Sequence, residues 1–137
     1  TYDGTYIWSA DFNSDTIDKL DINGNIISSF SSPGIGSQGL AWDGQYLWNT
    51  DANTDMIYKI DPATGNVVLS FPTPGPDPTG LAFDGQYLWV TDLGTDQIYK
   101  LDLGYTPAPP GVITLISMLG GLGGWAGIGR LRRRKKK

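Results

Sequence analysis

The chain has 137 residues and contains no cysteine and no histidine, which excludes a disulfide framework, a thiol or serine–histidine nucleophile and a histidine-based metal site. Residues 1–105 carry 14 Asp and three Lys, a net charge of −11, whereas residues 106–137 carry seven basic residues and no acid. Because the acidic body would be repelled by a phosphate backbone, we expect no nucleic-acid partner.

Three copies of a repeat of about 41 residues follow one another from the first residue. They span residues 1–39, 40–80 and 81–104, and the third copy ends early. Three markers recur in the same register, an Asp-Gly pair, a Trp and a Lys: Asp3-Gly4, Asp43-Gly44 and Asp84-Gly85; Trp8, Trp48 and Trp89; Lys19, Lys59 and Lys100. This periodicity predicts a tandem-repeat architecture.

Each copy is predicted to form short antiparallel strands joined by tight turns. The third copy has strand patterns at 81–83, 87–91 and 97–101, and residues 66–71 supply a fourth strand in the second copy. Pro74-Gly75 and Pro78 are expected to break the chain before the third copy. Four strands in about 40 residues form the blade of a β-propeller. The sequence therefore predicts an all-β fold of tandem four-stranded antiparallel blades.

The strings DGQYLWVTD, TDQIYKLD and GLAFDG resemble the propeller repeats of the YVTN and NHL types found in bacteria and archaea. The resemblance covers Thr1 to about Leu103 and implies a propeller fold, which hosts binding proteins, scaffolds and enzymes alike. Propellers typically have four to eight blades, and about three are present here. Since open blade edges can pair with another chain, we expect a homo-oligomer or polymer.

A loop of the pattern D-x-x-[ST]-D recurs once in every copy. Such a loop offers several hard oxygen ligands on one turn, which suits Ca²⁺, although it lacks the Gly and Glu of an EF-hand. The alternative, which recurrence in every blade favours, is that these side chains accept hydrogen bonds from turn amides. The candidate ligands are Asp11, Asp15, Asp51, Asp55, Asp92 and Asp96.

An aromatic pair and a lysine also recur. Tyr and Trp stand two residues apart in each second strand, so they share a face and could either stack on sugar rings at a rim or form the core between blades. The core interpretation is favoured, because both faces of a blade are covered by neighbours. The lysines are explained by solvated or blade-linking ion pairs. The aromatic pairs are Tyr6/Trp8, Tyr46/Trp48 and Tyr87/Trp89.

The composition changes abruptly after Tyr105. Residues 105–110 form a Pro-rich spacer, residues 111–129 contain no charge, and residues 130–137 are basic. As a helix, these 19 uncharged residues would be about 28 Å long, which is enough to span a bilayer with the basic end in the cytoplasm. The alternative is that residues 112–118 supply the fourth strand of the third copy.

The order of spacer, apolar span and basic end resembles the C-terminal sorting signals of the PEP-CTERM class. The resemblance implies processing by an exosortase-type transpeptidase, but this tail has Pro-Ala-Pro-Pro where Pro-Glu-Pro is expected. The positions that carry the resemblance are Pro107, Pro109, Pro110, Arg130, Arg132, Arg133 and Arg134.

Repetition argues against catalysis, because nearly every carboxylate has counterparts in sister repeats; Asp18 and Asp77 are the exceptions. We therefore expect a non-enzymatic protein displayed on a prokaryotic cell surface, anchored to the membrane or sorted through its tail. It would act by binding or self-assembly as a matrix or filament subunit, without a cofactor apart from the Ca²⁺ considered above. Because residue 1 is Thr, the chain is expected to be a processed product or a fragment. The alternative function is that of a fragment of a larger propeller hydrolase or lactonase, whose active-site residues lie outside this chain.

Overall fold

The computed structural model describes residues 1–104, which form ten strands and no helix. The all-β prediction is confirmed for this part of the chain. The strands are β1 (Ile7–Asp11), β2 (Thr16–Leu20), β3 (Ile26–Ser31), β4 (Ser37–Trp42), β5 (Leu47–Asp51), β6 (Met56–Ile60), β7 (Val67–Pro72), β8 (Pro78–Phe83), β9 (Tyr87–Asp92) and β10 (Gln97–Asp102).

The strands form three antiparallel sheets, each of which corresponds to one blade. Blade 1 has the order β1-β2-β3, blade 2 has the order β4-β5-β6-β7, and blade 3 has the order β10-β9-β8. Within each blade, consecutive strands pair with each other because the turn that joins them is short. In the β4–β5 turn, for example, Gly44 has φ +99°, a conformation that glycine adopts without steric cost.

Blade 1 has a short counterpart of the first strand of blade 2. The Thr1 amino group donates to the carbonyl of Trp8, the Trp8 amide donates to the carbonyl of Thr1, and Tyr2 forms a bridge with Ile7. Ala41 pairs with Trp48 in the same way in blade 2. In blade 3 the far edge of β10 has no strand partner within residues 1–104.

The first strand of the third copy begins earlier than predicted. Strand β8 starts at Pro78, which sequence reasoning treated as a breaker, and it includes Gly80. Proline is tolerated as the first residue of a strand, where no ladder hydrogen bond from its nitrogen is needed. A register shift between Pro78 and Gly80 then carries the strand into its regular pairing with β9.

The hydrophobic core lies between the blades in two clusters. Trp8 and Ile17 of blade 1 pack with Leu47 and Ile60 of blade 2. The second cluster lies between blades 2 and 3 and is formed by Ala41, Trp48, Ile57, Leu88, Val90, Tyr99 and Leu101. Trp8 is 3% exposed and Trp48 is 1% exposed. The core interpretation of these two tryptophans is confirmed.

Strands β4 and β8 approach each other closely on the inner side of the blades. A Cβ on Gly39 would lie 2.8 Å from the Leu81 nitrogen and 2.9 Å from the Gly80 carbonyl carbon. Glycine is needed at residue 39 because no side chain fits between the two backbones. On the outer side, β3 and β7 expose apolar side chains such as Ile27 and Val68.

The predicted C-terminal helix, at residues 111–129, lies outside the described residues, as do the spacer, the basic end and the alternative strand at 112–118. Within residues 1–104 there is no helix that is long and apolar enough to cross a membrane.

Candidate functional site

One side-chain cluster recurs in all three blades and is built around the aspartate of the Asp-Gly turn. In blade 2, Asp43 Oδ1 accepts hydrogen bonds from the amides of Gln45 (2.9 Å) and Tyr46 (2.7 Å). Its Oδ2 accepts a hydrogen bond from Trp48 Nε1 at 2.7 Å. The same indole-to-carboxylate bond, also 2.7 Å, joins Trp8 to Asp3 and Trp89 to Asp84. The carboxylate therefore orders the turn and orients the core tryptophan at the same time.

The repeated lysine completes this cluster. The Nζ atoms of Lys19, Lys59 and Lys100 lie 3.8, 4.2 and 3.5 Å from the ring centroids of the tyrosines in their own blades. Lys59 Nζ is also 3.9 Å from Asp43 Oδ2. Burial lowers the pKa of Lys59, and the charge of Asp43 partly opposes this effect. These contacts join strands of one blade. The sequence instead predicted ion pairs that are solvated or that link two blades.

The aspartate loops are stabilised by their own carboxylates. Asp51 Oδ1 accepts hydrogen bonds from the amides of Asn53 and Thr54, and Asp11 and Asp92 cap their loops in the same manner. The last aspartate of each loop has positive φ, for example +54° at Asp55. No three carboxylates within residues 1–104 form a group that could hold a metal ion. Turn stabilisation is the role that these contacts show, and Ca²⁺ binding stays a prediction.

Asp92 differs from its counterpart Asp51. In blade 2 the Gly36 amide donates to Asp51 Oδ2 at 2.8 Å. At the position equivalent to Gly36, blade 3 has Asp77, whose amide donates instead to Asp55 Oδ1 at 3.2 Å. Asp92 Oδ2 is consequently buried without a hydrogen-bond partner among the described residues. The unrepeated residue Asp77 thus changes the loop before blade 3.

The two unrepeated carboxylates lie in different blades. Asp18 is in β2, opposite Ser9 of β1 and Ser29 of β3, whereas Asp77 precedes β8. Two shallow concavities of about 400 and 330 Å³ occur on the described part of the chain. Neither Asp18 nor Asp77 lines them; the larger is lined by Ala10, Phe12, Ser37, Gln38 and Thr79, and the smaller by Asp3, Thr5, Tyr6, Trp8, Lys19, Trp42, Pro62 and Ala63.

The most distinctive surface of the described chain is the face of blade 3 that is turned away from blade 2. Ile98 is 56% exposed, whereas Ile17 and Ile57, at the same position of blades 1 and 2, are 0% exposed. Thr91 is likewise exposed although its counterpart Thr50 is fully buried. The register of β9 and β10 places four residues on this side, which we call the trailing face: Trp89, Thr91, Ile98 and Lys100.

The face of blade 1 that is turned away from blade 2 is also exposed. Ile7 and Leu20, which pair across β1 and β2, are half-buried, whereas their counterparts Leu47 and Ile60 are fully buried against blade 1. The register places four residues on this side, which we call the leading face: Ile7, Ser9, Asp18 and Leu20.

Comparisons with known proteins identify the architecture. No protein-family model and no curated protein sequence matches the chain. Solved structures do match: hydrazine synthase of Kuenenia stuttgartiensis has a TM-score of 0.63 and 18% identity, over 74% of this chain and 30% of that one. These neighbours are β-propeller proteins. The described part of the chain has the β-propeller fold.

Two further propellers are similar to this chain. An inactive form of virginiamycin B lyase from Staphylococcus aureus gives a TM-score of 0.59 and 22% identity, over 74% of this chain and 36% of that one. Glutaminyl cyclase of Myxococcus xanthus gives 0.61 and 16%, over 72% and 42%. This propeller chain therefore spans about a third of the length of its structural neighbours.

The sequence predicted open blade edges in general but did not single out the residues of the two faces. Ile98 and Trp89 match Ile57 and Trp48 in local sequence, and the same pattern in blade 2 is buried by the blade that follows it. The feature of the sequence that could have identified Trp89 and Ile98 is their place in the third copy, the last in which the repeat can be recognised.

Proposed function

We propose that this chain is a non-catalytic propeller protein that works by self-assembly through its open blade faces at the surface of the cell. The observation that carries the proposal is the exposure of Ile98, at a position that is fully buried in both other blades. Full burial of an exposed isoleucine side chain contributes about 1.5–3 kcal/mol. Because 56% of the Ile98 side chain is still exposed, burying the remainder favours association with another blade.

Cell-surface display is supported by the sequence of residues 105–137. An acidic body is joined through a Pro-rich spacer to 19 residues without a charge and a basic end, an order that favours membrane anchoring with residues 1–104 outside the cell. Fractionation tests this part: the full chain should sediment with membranes, and a chain ending at residue 104 should not.

Self-assembly is tested by the mass of the full chain in a mild detergent, measured by light scattering and analytical ultracentrifugation. We expect particles of more than one chain, and we expect Ile98→Asp to shift them towards monomers because it places a charge on the trailing face. The matched control is Ile27→Asp, since Ile27 is similarly exposed at 52% but lies on the outer strand β3. A wild-type protein that is monomeric at all accessible concentrations would refute the proposal.

A second candidate function is that of one part of a larger propeller enzyme. It is supported by the neighbours, which include a lyase and a cyclase, and by the third of their length that this chain spans. In that case blades encoded on the same longer chain would cover the two open faces. A reading frame that extends upstream with further blades and unrepeated His or Glu residues, together with a monomeric 137-residue chain, would favour this candidate.

A further inference from the structure

We propose that the trailing face of blade 3 binds the leading face of blade 1 of a second copy. This inference rests on the proposed self-assembly and adds which surfaces meet and in what orientation.

The chain itself contains two examples of the proposed interface. Between blades 1 and 2, Trp8 and Ile17 pack against Leu47 and Ile60. Between blades 2 and 3, the same positions recur as Trp48 and Ile57 against Leu88 and Leu101. Both interfaces use one Trp/Ile pair from the preceding blade and one aliphatic pair from the following blade. A third interface of this kind requires a Trp/Ile pair and an aliphatic pair that are still uncovered.

Blade 3 presents the first half of that interface. Trp89 and Ile98 occupy the positions of Trp48 and Ile57, and the indole of Trp89 is already oriented by its hydrogen bond to Asp84. Lys100 already lies over the Tyr87 ring, at 3.5 Å. Since the same contacts exist in the two covered blades, the trailing face is preorganised, and binding requires little rearrangement of its side chains.

Blade 1 presents the second half. Ile7 and Leu20 occupy the positions of Leu47 and Ile60, and they are half-buried where those two residues are fully buried. One position differs: Asp18 stands where blades 2 and 3 have Tyr58 and Tyr99. A carboxylate at this position makes the leading face more polar than its internal counterparts, so this interface is expected to be weaker than the two within the chain.

The proposed contact is heterologous, because the trailing face of one copy meets the leading face of the other.

Cross-linking tests the orientation directly, because the chain contains no cysteine and each introduced thiol is unique. Ile98→Cys and Leu20→Cys are prepared as separate full-length variants, mixed in detergent and treated with a short bis-maleimide. We expect a covalent dimer in the mixture, joining one copy of each variant, and little in either variant alone. Ile7→Cys replaces Leu20→Cys if the latter folds poorly, since Ile7 lies on the same face.

The matched control mixes Ile98→Cys with Ile27→Cys on the outer strand, and it should give no mixed dimer. Association without the 98–20 or 98–7 cross-link would overturn the orientation while leaving self-assembly intact. Cross-linking of Ile98→Cys to itself would show that two trailing faces meet and would also overturn it. A protein that stays monomeric would remove both the inference and the proposed function.

A substitution in the leading face gives an independent readout. Asp18→Tyr installs the residue of the other two blades and removes a charge from the interface. The dissociation constant for self-association should fall by roughly tenfold, about the effect of one unpaired polar group. An unchanged or raised dissociation constant would show that Asp18 lies outside the interface and would overturn the proposed pairing.

Discussion

At the scale of single residues, the aspartate of the Asp-Gly turn shows how one side chain links local structure to the core. Asp84 Oδ1 accepts hydrogen bonds from the Gln86 and Tyr87 amides, and Oδ2 accepts one from Trp89. The turn aspartate could be predicted from the dipeptide, because Asp-Gly is a strong turn signal. Its bond to the tryptophan could not, since that bond depends on the pairing of two strands.

These hydrogen bonds predict that acid destabilises the fold. The hydrogen bond from the Trp89 indole lowers the pKa of Asp84, and the two turn amides lower it further. Burial alone would raise the pKa of Asp3, but hydrogen bonds from Tyr6, Trp8 and Thr5 outweigh this effect and lower it. A carboxylate whose folded pKa is depressed contributes stability above its unfolded pKa and loses it as the pH falls towards the folded value. The urea midpoint, followed by tryptophan fluorescence, should therefore decrease below about pH 4.

Asp84→Asn should reduce this acid sensitivity, because the neutral amide has no charge to lose. A urea midpoint that stays constant or rises between pH 5 and pH 3 would contradict the hydrogen-bond account.

A second residue-scale prediction uses a threonine that occurs in two environments. Thr50 Oγ1 accepts a hydrogen bond from the Gly39 amide at 2.9 Å in a fully buried position, whereas Thr91 Oγ1 accepts one from the Gly80 amide where the side chain is exposed. Thr50→Val should lower the free energy of unfolding by about 1–3 kcal/mol, because it leaves a buried amide unpaired.

Thr91→Val is the matched control, and water can replace its hydroxyl, so its effect should be below about 0.5 kcal/mol. Both effects are measured by urea unfolding. Equal losses in the two variants would show that burial of the amide does not decide the cost.

At the scale of strands and sheets, tight turns and apolar residues were sufficient to predict most elements. The predicted strand at 97–101 corresponds to Gln97–Asp102, and the one at 66–71 corresponds to Val67–Pro72. The prediction failed at the start of β8, where Pro78 and Gly80 resembled a loop. That segment is a strand because β4 and β8 converge on the inner side, where Gly39 permits their close approach. This requirement comes from the neighbouring blade and leaves no local periodicity.

The element scale also gives a prediction about three equivalent isoleucines. Ile17→Ala and Ile57→Ala should each lower the free energy of unfolding by about 2–5 kcal/mol, because both side chains are fully buried between blades. Ile98→Ala should lower it by less than about 0.5 kcal/mol in dilute monomeric protein, since its side chain is exposed there. Chemical denaturation at low protein concentration measures all three, and a large loss for Ile98→Ala in monomers would mean that another part of the chain covers the face.

At the scale of the whole molecule, the three blades formed by residues 1–104 expose one trailing and one leading face. The Trp/Ile and aliphatic pairs of these faces repeat those that hold blades 1, 2 and 3 together. The body has 14 Asp against three Lys, so its copies repel one another, and the apolar faces must overcome this repulsion. Association is therefore expected to depend on specific contact between the faces.

Self-association should make the thermal stability of the protein depend on its concentration. Association that occurs only between folded chains stabilises the fold, so the melting temperature of the wild-type protein should rise with protein concentration. Ile98→Asp should abolish this rise, and Ile27→Asp should preserve it. Differential scanning calorimetry over a hundredfold concentration range provides the measurement, and a melting temperature that is independent of concentration in the wild type would contradict self-assembly.

The sequence by itself determined the repeat, the turns and the all-β character of residues 1–104. Asp-Gly pairs and short apolar strand patterns are local properties, and a period of about 41 residues is visible when the sequence is aligned with itself. Only the tertiary structure decided which surfaces are covered. Ile17, Ile57 and Ile98 have similar local sequences, yet the first two are buried and the third is exposed. The physical reason is that burial belongs to a pair of surfaces: a strand determines which way its side chain points, and the neighbouring blade determines whether water reaches it.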